Sequence, residues 1–265
     1  MLLEKKDSEG SNYLVDAFWA FLVLLLVQHW FPEAIPFKIF EFWKSEQPIW
    51  EGIKASWPIF AWAVGTSLLV SILTRNHWKV NKYAERLLVG GFITSVFAGV
   101  MEEIAFRWVF FLNAIWLIQL LNWLFFGFAG FGISEWFYLS LLTPVADFAT
   151  LGLMHDILYH PLGWFVGAAV IGANAKFRNG HKYLGIIGLI NSWVIGMFLF
   201  WLMFNYGLVV CIIVHFLYDL FIHVVCYFDA AYERSRGGDK EIDMDYIRAQ
   251  IFKRFETQRS RRRQN

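Results

Sequence analysis

Runs of about 17 to 25 apolar residues, set apart by short polar stretches, recur along this chain, and a helix of that length is what crosses a bilayer. Leu87 to Met101 contains no Asp, Glu, Lys or Arg, and neither does Leu112 to Ser134, whereas Arg234 to Arg263 is dense with them. In lipid every backbone polar group must be satisfied internally, so uninterrupted apolar runs of this kind demand helices. Of the 265 residues 58% are hydrophobic, 20% aromatic and only 17% charged, too little charge to solvate a soluble surface. The expected fold is all-α: a polytopic transmembrane helical bundle. An ordinary cytosolic enzyme, a secreted disulfide scaffold and a disordered chain are excluded.

Eight spans are expected, at about 13–31, 57–74, 87–111, 112–131, 137–158, 162–176, 184–206 and 208–228. The stretch from Pro32 to Ser56 is too polar to span and carries Trp43 and Trp50, which suits an amphipathic segment at the interface. Lys and Arg are segregated: two in the N-terminal tail (Lys5, Lys6), four from Arg75 to Arg86, three from Lys176 to Lys182 and ten after Phe228. Only Lys38, Lys44 and Lys54 fall on the opposite side, which predicts both termini in the cytoplasm. The N-terminus MLLEKKDSEGSN is polar rather than signal-like, so the first apolar stretch is expected to remain as an anchor. Cys211 and Cys226 would lie roughly 22 Å apart on one helix, which forbids a disulfide. The tail ends in RSRRRQN with no interleaved aromatics, so it reads as a solvated topology determinant that attracts anionic lipid; no nucleic-acid partner is expected.

Ionisable residues inside apolar spans are the informative exceptions, since each costs about 2.5 to 3.5 kcal/mol unless paired or hydrated. Met101-Glu-Glu-Ile-Ala-Phe-Arg107 places Glu103 and Arg107 on one helix face, able to pair, while Glu102 points about 100° away. A buried packing pair is the plain reading of Glu103 and Arg107. Two carboxylates against one Arg leave a surplus negative charge, and adjacent carboxylates push one pKa upward, as a general base needs. His155 sits in a second apolar run, where an isolated His is commonly a packing residue. His215, Asp219 and His223 share a third helix face as a polar stripe that should look into the bundle.

A double glutamate followed by three residues and Arg, then Phe-x-x-x-His, then His-x-x-x-Asn/Asp, all within membrane segments, is the pattern of the CPBP family of CAAX proteases and bacteriocin-processing enzymes, also called Abi. This chain resembles that family over roughly residues 87–228, and within it the type II CAAX prenyl endopeptidases, which are intramembrane glutamate proteases. Residues 1–86 would then be N-terminal membrane segments with the interfacial stretch, and 229–265 a basic cytoplasmic tail. Leu151 stands where the middle motif has Phe, with His155 as its histidine. The resemblance implies a water held between Glu102, the general base, and His155. Glu103 would pair with Arg107 to set the geometry, and His215 and Asp219 would face the scissile carbonyl on the oxyanion side. An ionised Asp cannot donate to an oxyanion, so Asp219 would act as a neutral donor or orient His215. The implied substrate is a membrane-associated peptide or protein, with the lipid bilayer as the other partner.

The same residues admit other chemistry. Two His and one or two Glu match the composition of a His₂Glu zinc site, giving a zinc-dependent membrane protease, but no HExxH-type spacing sets two ligands on one helix. No metal and no cofactor is therefore expected. A non-catalytic membrane factor of the same fold, serving immunity or partner binding, is a second alternative. A proton pathway is a third, although no inverted repeat accompanies it.

Overall fold

The computed structural model describes residues 2–45, 47–74, 84–126, 132–182 and 185–235, with side chains described over 13–45, 47–67, 90–126, 132–182 and 185–228. All regular structure among them is helical. Helix α1 (Leu2–Trp30) leads through two 3₁₀ turns, Pro32–Ala34 and Glu41–Trp43, into α2 (Ile49–Ala55) and α3 (Trp57–Thr74). Helix α4 (Ala84–Glu102) continues without a turn through a π-helical segment, Glu103–Phe110, into α5 (Phe111–Phe125). Then come α6 (Ile133–Phe137), a second π segment (Tyr138–Leu142), α7 (Thr143–Ala149), the single turn α8 (His155–Leu158), α9 (Trp164–Gly180), α10 (Gly185–Tyr206) and α11 (Leu208–Ser235). Four described runs are long and apolar enough to cross a membrane: Tyr13–Trp30, Gly90–Phe125, Gly185–Tyr206 and Leu208–Phe228. The chain is an all-α polytopic membrane protein, with Phe, Trp and Leu side chains exposed around its sides.

Two expected spans are not separate helices. Residues 87–111 and 112–131 form one unbroken run as far as Phe125, because Phe110 and Phe111 keep right-handed helical dihedrals and nothing reverses the chain between them. The expected span 137–158 also differs. Its helix stops at Ala149, where Leu151 (φ 54°) and Gly152 (φ 78°) enter the left-handed region and turn the chain before His155. The segment 32–56 is not a surface ribbon. Ile35, Phe37 and Phe42 are buried in the main core, the Trp108 indole N–H donates to the Ile39 carbonyl, and Trp50 and Phe40 remain exposed in keeping with an interfacial position.

Side-chain contacts set which helix ends lie together. Asp16 of α1 pairs with Lys176 near the end of α9 at 3.6 Å. At the opposite end, Gly207 turns α10 into α11 with φ 85°, and a Cβ there would meet the Lys44 and Phe42 carbonyls at 3.2 Å. His160, just before α9, packs on Phe37 and Phe204, and Tyr138 donates to the Leu158 carbonyl at 2.8 Å. The turn carrying residues 150–163 thus lies at the Lys44 end, and the start of the apolar part of α1 lies at the Lys176 end. The charge-bearing stretches Arg75–Lys82 and 236–265, on which the expected orientation also rested, lie outside the described residues.

Candidate functional site: a buried ion cluster on a π-helical segment

The site begins with a stripe of small residues. Gly91, Ser95 and Gly99 recur every four residues along α4, so they share one face, and that face is laid against α11. A Cβ on Gly99 would sit 3.0 Å from the Ile212 carbonyl oxygen and the Phe216 nitrogen, and one on Gly91 would sit 2.6 Å from the His223 ring. Ser95 is buried and turns its hydroxyl back to the Gly91 carbonyl at 2.7 Å. This close approach carries the next polar residues on the run, Glu103 and Arg107, directly to α11.

Glu103 and Arg107 are both fully buried, with Arg107 Nη1 3.0 Å from Glu103 Oε1. The same carboxylate oxygen lies 2.7 Å from His215 Nδ1, so it accepts from the imidazole while forming an ion pair with the guanidinium. The other ring nitrogen, His215 Nε2, lies 3.7 Å from Asp219 Oδ2 one turn along α11. Glu102 is half-buried at the junction of α4 and the π segment, within electrostatic reach of His215 and of Tyr13 on α1. Three carboxylates, Glu102, Glu103 and Asp219, thus lie within electrostatic reach of His215, and Arg107, paired with Glu103, is the permanent cation beside them. A π segment is rare and shifts the helix to i→i+5 bonding; such segments concentrate at functional sites.

Helix α9 closes the cluster from the other side. The Phe177 ring lies over the Arg107 guanidinium at 4.0 Å from Cζ to centroid, and Phe200 flanks it at 5.7 Å, an arrangement in which ring faces attract the cation. His215 meets the same Phe177 ring edge-on at 6.1 Å. His181, one turn beyond Phe177, packs on it at 4.7 Å and places Nδ1 2.9 Å from the Phe177 carbonyl oxygen. A carbonyl only accepts, so Nδ1 is the donor of this hydrogen bond. On the outer side Tyr13 packs against Phe106, which packs against Phe177.

His155 is not brought to this cluster. It opens α8, across the length of α9 from His181, with its side chain 59% exposed and Nδ1 2.9 Å from Asp147 Oδ2. The carboxylates acting on it are Asp147 and Asp156, and the hydrogen bond that Nδ1 donates to Asp147 raises its pKa above the usual histidine value. Five of the six expected site residues, Glu102, Glu103, Arg107, His215 and Asp219, therefore lie together and the sixth lies apart. His181, which meets the cluster through Phe177, stands outside the expected set, although Phe177-Arg-Asn-Gly-His181 has Phe-x-x-x-His spacing. Lys176, Arg178 and Lys182 around it made that stretch read as a charged loop end. Among the described residues no three His, Cys, Asp or Glu side chains converge in a metal-binding arrangement.

Comparison with protein-family models, with curated proteins and with solved structures found no match. Fold and site together define the class: a multi-pass helical membrane protein with a buried Glu–Arg–His cluster.

Proposed function

We propose that this protein is an intramembrane endopeptidase of the CPBP type, in which Glu102 activates the hydrolytic water and His181 rather than His155 is the partnering imidazole. One observation carries the reading: Phe177 of a Phe-x-x-x-His stretch is stacked on Arg107 of the Glu-Glu-x-x-x-Arg stretch, and His215 of His-x-x-x-Asp meets the same ring and bonds Glu103. Three segments with the spacings of one family pattern meet at one aromatic ring. In this mechanism Glu102 takes a proton from water as the oxygen attacks the scissile carbonyl, then returns it to the leaving amine as the C–N bond breaks. His181, held by the hydrogen bond from Nδ1 to the Phe177 carbonyl, is the imidazole assigned to position that water. Glu103 holds Arg107 and His215 in place, and His215 Nε2, beyond hydrogen-bonding distance of Asp219, faces the developing oxyanion.

The test is comparative proteomics of membranes from cells carrying the wild-type chain, Glu102→Gln, His181→Ala and His155→Ala. Substrates should accumulate uncleaved in the first two variants and not in His155→Ala, with all three proteins inserted at wild-type levels. Loss of cleavage in His155→Ala alone would restore the other histidine and overturn this assignment.

A second reading is favoured by a different feature. Glu103, His215 and Asp219 form a line of proton-exchanging groups with His223 one turn further on, the composition of a proton relay. Proton flux in liposomes containing the purified chain, lost in His215→Ala and retained in Glu102→Gln, would support that function instead.

A further inference from the structure

We propose that the face of α9 carrying Asn174 and Phe177 binds at least one internal water beside Arg107, held by the Asn174 carboxamide, which makes Asn174 an unassigned positioning residue of the cluster. Asn174 is completely buried in a predominantly apolar core. Its Nδ2 donates to the Trp193 carbonyl at 3.0 Å, which settles the amide orientation, because a flipped amide would set two oxygens against each other. Oδ1 then points the other way and meets no protein donor. The same holds for Arg107 Nε, Nη1 and Nη2 as donors and for Glu103 Oε2 as an acceptor.

The Phe177 ring links the Asn174 orphan to those of Arg107. A Cβ built on Gly196 would fall 1.8 Å from Asn174 Oδ1 and 3.0 Å from a Phe177 ring carbon, so the amide oxygen lies beside the ring that covers the Arg107 guanidinium. Donors without acceptors and acceptors without donors, buried together around one ring, are the pattern that internal water satisfies, since leaving each group unpaired costs about 1 to 3 kcal/mol. Any side chain at Gly196 would press on Asn174 Oδ1, so glycine there keeps the amide in place. This inference stands on the cluster's geometry and does not require that the chain hydrolyse anything.

Radiolytic hydroxyl-radical footprinting of the full chain in nanodiscs tests it, because radicals formed from a bound water label the side chains touching it. Phe177 and Phe111 are both buried rings, but the ring partners of Phe111 are Phe37, Phe42, Phe200 and Phe204, with no orphaned polar atom among them. Phe177 should be labelled severalfold faster than Phe111 in the wild-type chain. Asn174→Leu should bring Phe177 down to the Phe111 rate, and Asn174→Ser, which keeps a small polar group, should restore part of the difference. Glu102→Gln should leave labelling unchanged, which separates this result from the fate of the protease reading. Equal labelling of Phe177 and Phe111 in the wild-type chain would overturn the proposal even if no Asn174 variant folds.

Discussion

At the scale of single residues, the consequence of a fully buried guanidinium depends on what remains after its removal. Arg107→Ala strands Glu103 in a low-dielectric site, a kind of loss that typically costs about 3 to 5 kcal/mol. Replacing both charges, as in Glu103→Gln with Arg107→Leu, should recover much of that loss in an unfolding titration. Arg107→Lys should be only partly tolerated, because a compact ammonium cannot lie flat between the Phe177 and Phe200 rings. His155 supplies a second residue-scale test. Its raised pKa means that the contact with Asp147 favours the folded turn fully below the ordinary value of about 6.5, and that this contribution is lost as pH rises through the raised value. NMR titration should give a His155 midpoint above that of an unpaired histidine. Asp147→Asn should lower it, and an unchanged midpoint would dissolve the pair.

At the scale of elements, the packing of α4 on α11 rests on space rather than on attraction. Gly99→Ala would set a methyl group 3.0 Å from backbone atoms of α11, which cannot rotate away, so it should lower stability by about 1 to 3 kcal/mol and loosen the Glu103–His215 contact. Gly172, inside α9, has nothing within 4 Å of its Cβ position. Gly172→Ala should therefore be neutral or stabilising by up to about 1 kcal/mol, the helical cost of glycine. Thermal unfolding of the two variants in one detergent measures the contrast directly. If both behave alike, close approach is not what holds this helix pair. The helices are also tied by polar links: Trp62 of α3 donates to Asn191 of α10 at 2.8 Å, and Asn191 reaches Tyr218 of α11. Such hydrogen bonds join helices in lipid, where no hydrophobic difference drives association.

At the scale of the whole molecule, the unbroken run from Ala84 to Phe125 changes the expected path without changing the expected ends. Thirty-six residues from Gly90 to Phe125 reach about 54 Å, well beyond the roughly 30 Å hydrocarbon core, yet they contain no reversal. Residues 133–158 accordingly pack at the Lys44 end, and with two crossings fewer than expected the predicted number stays even. A cysteine at Glu135 should react with a membrane-impermeant maleimide from the same side as one at Lys44 and from the side opposite Lys182. Eight separate spans would put it with Lys182. Reporter fusions at the two chain ends should then read the same side as Lys182.

Read by itself, the sequence determined the class of fold, the approximate limits of α3, α9, α10 and α11, and the pairing of Glu103 with Arg107. Each of these depends on local composition or on spacing within one helix, where the backbone period alone decides which residues meet. What it could not decide was whether an apolar run of some forty residues turns back, because reversal needs a breaker and the apolar residues at 111 and 112 are compatible with either outcome. Nor could it decide which histidine, His155 or His181, packs on the ring that covers Arg107. His155 stands in an apolar run and His181 among Lys and Arg, so hydropathy favours the first. Tertiary packing placed the second beside the cluster, through Phe177 on Arg107 and through glycines that let helices approach, and those contacts join residues about 70 or more positions apart in the chain, beyond the reach of any local periodicity.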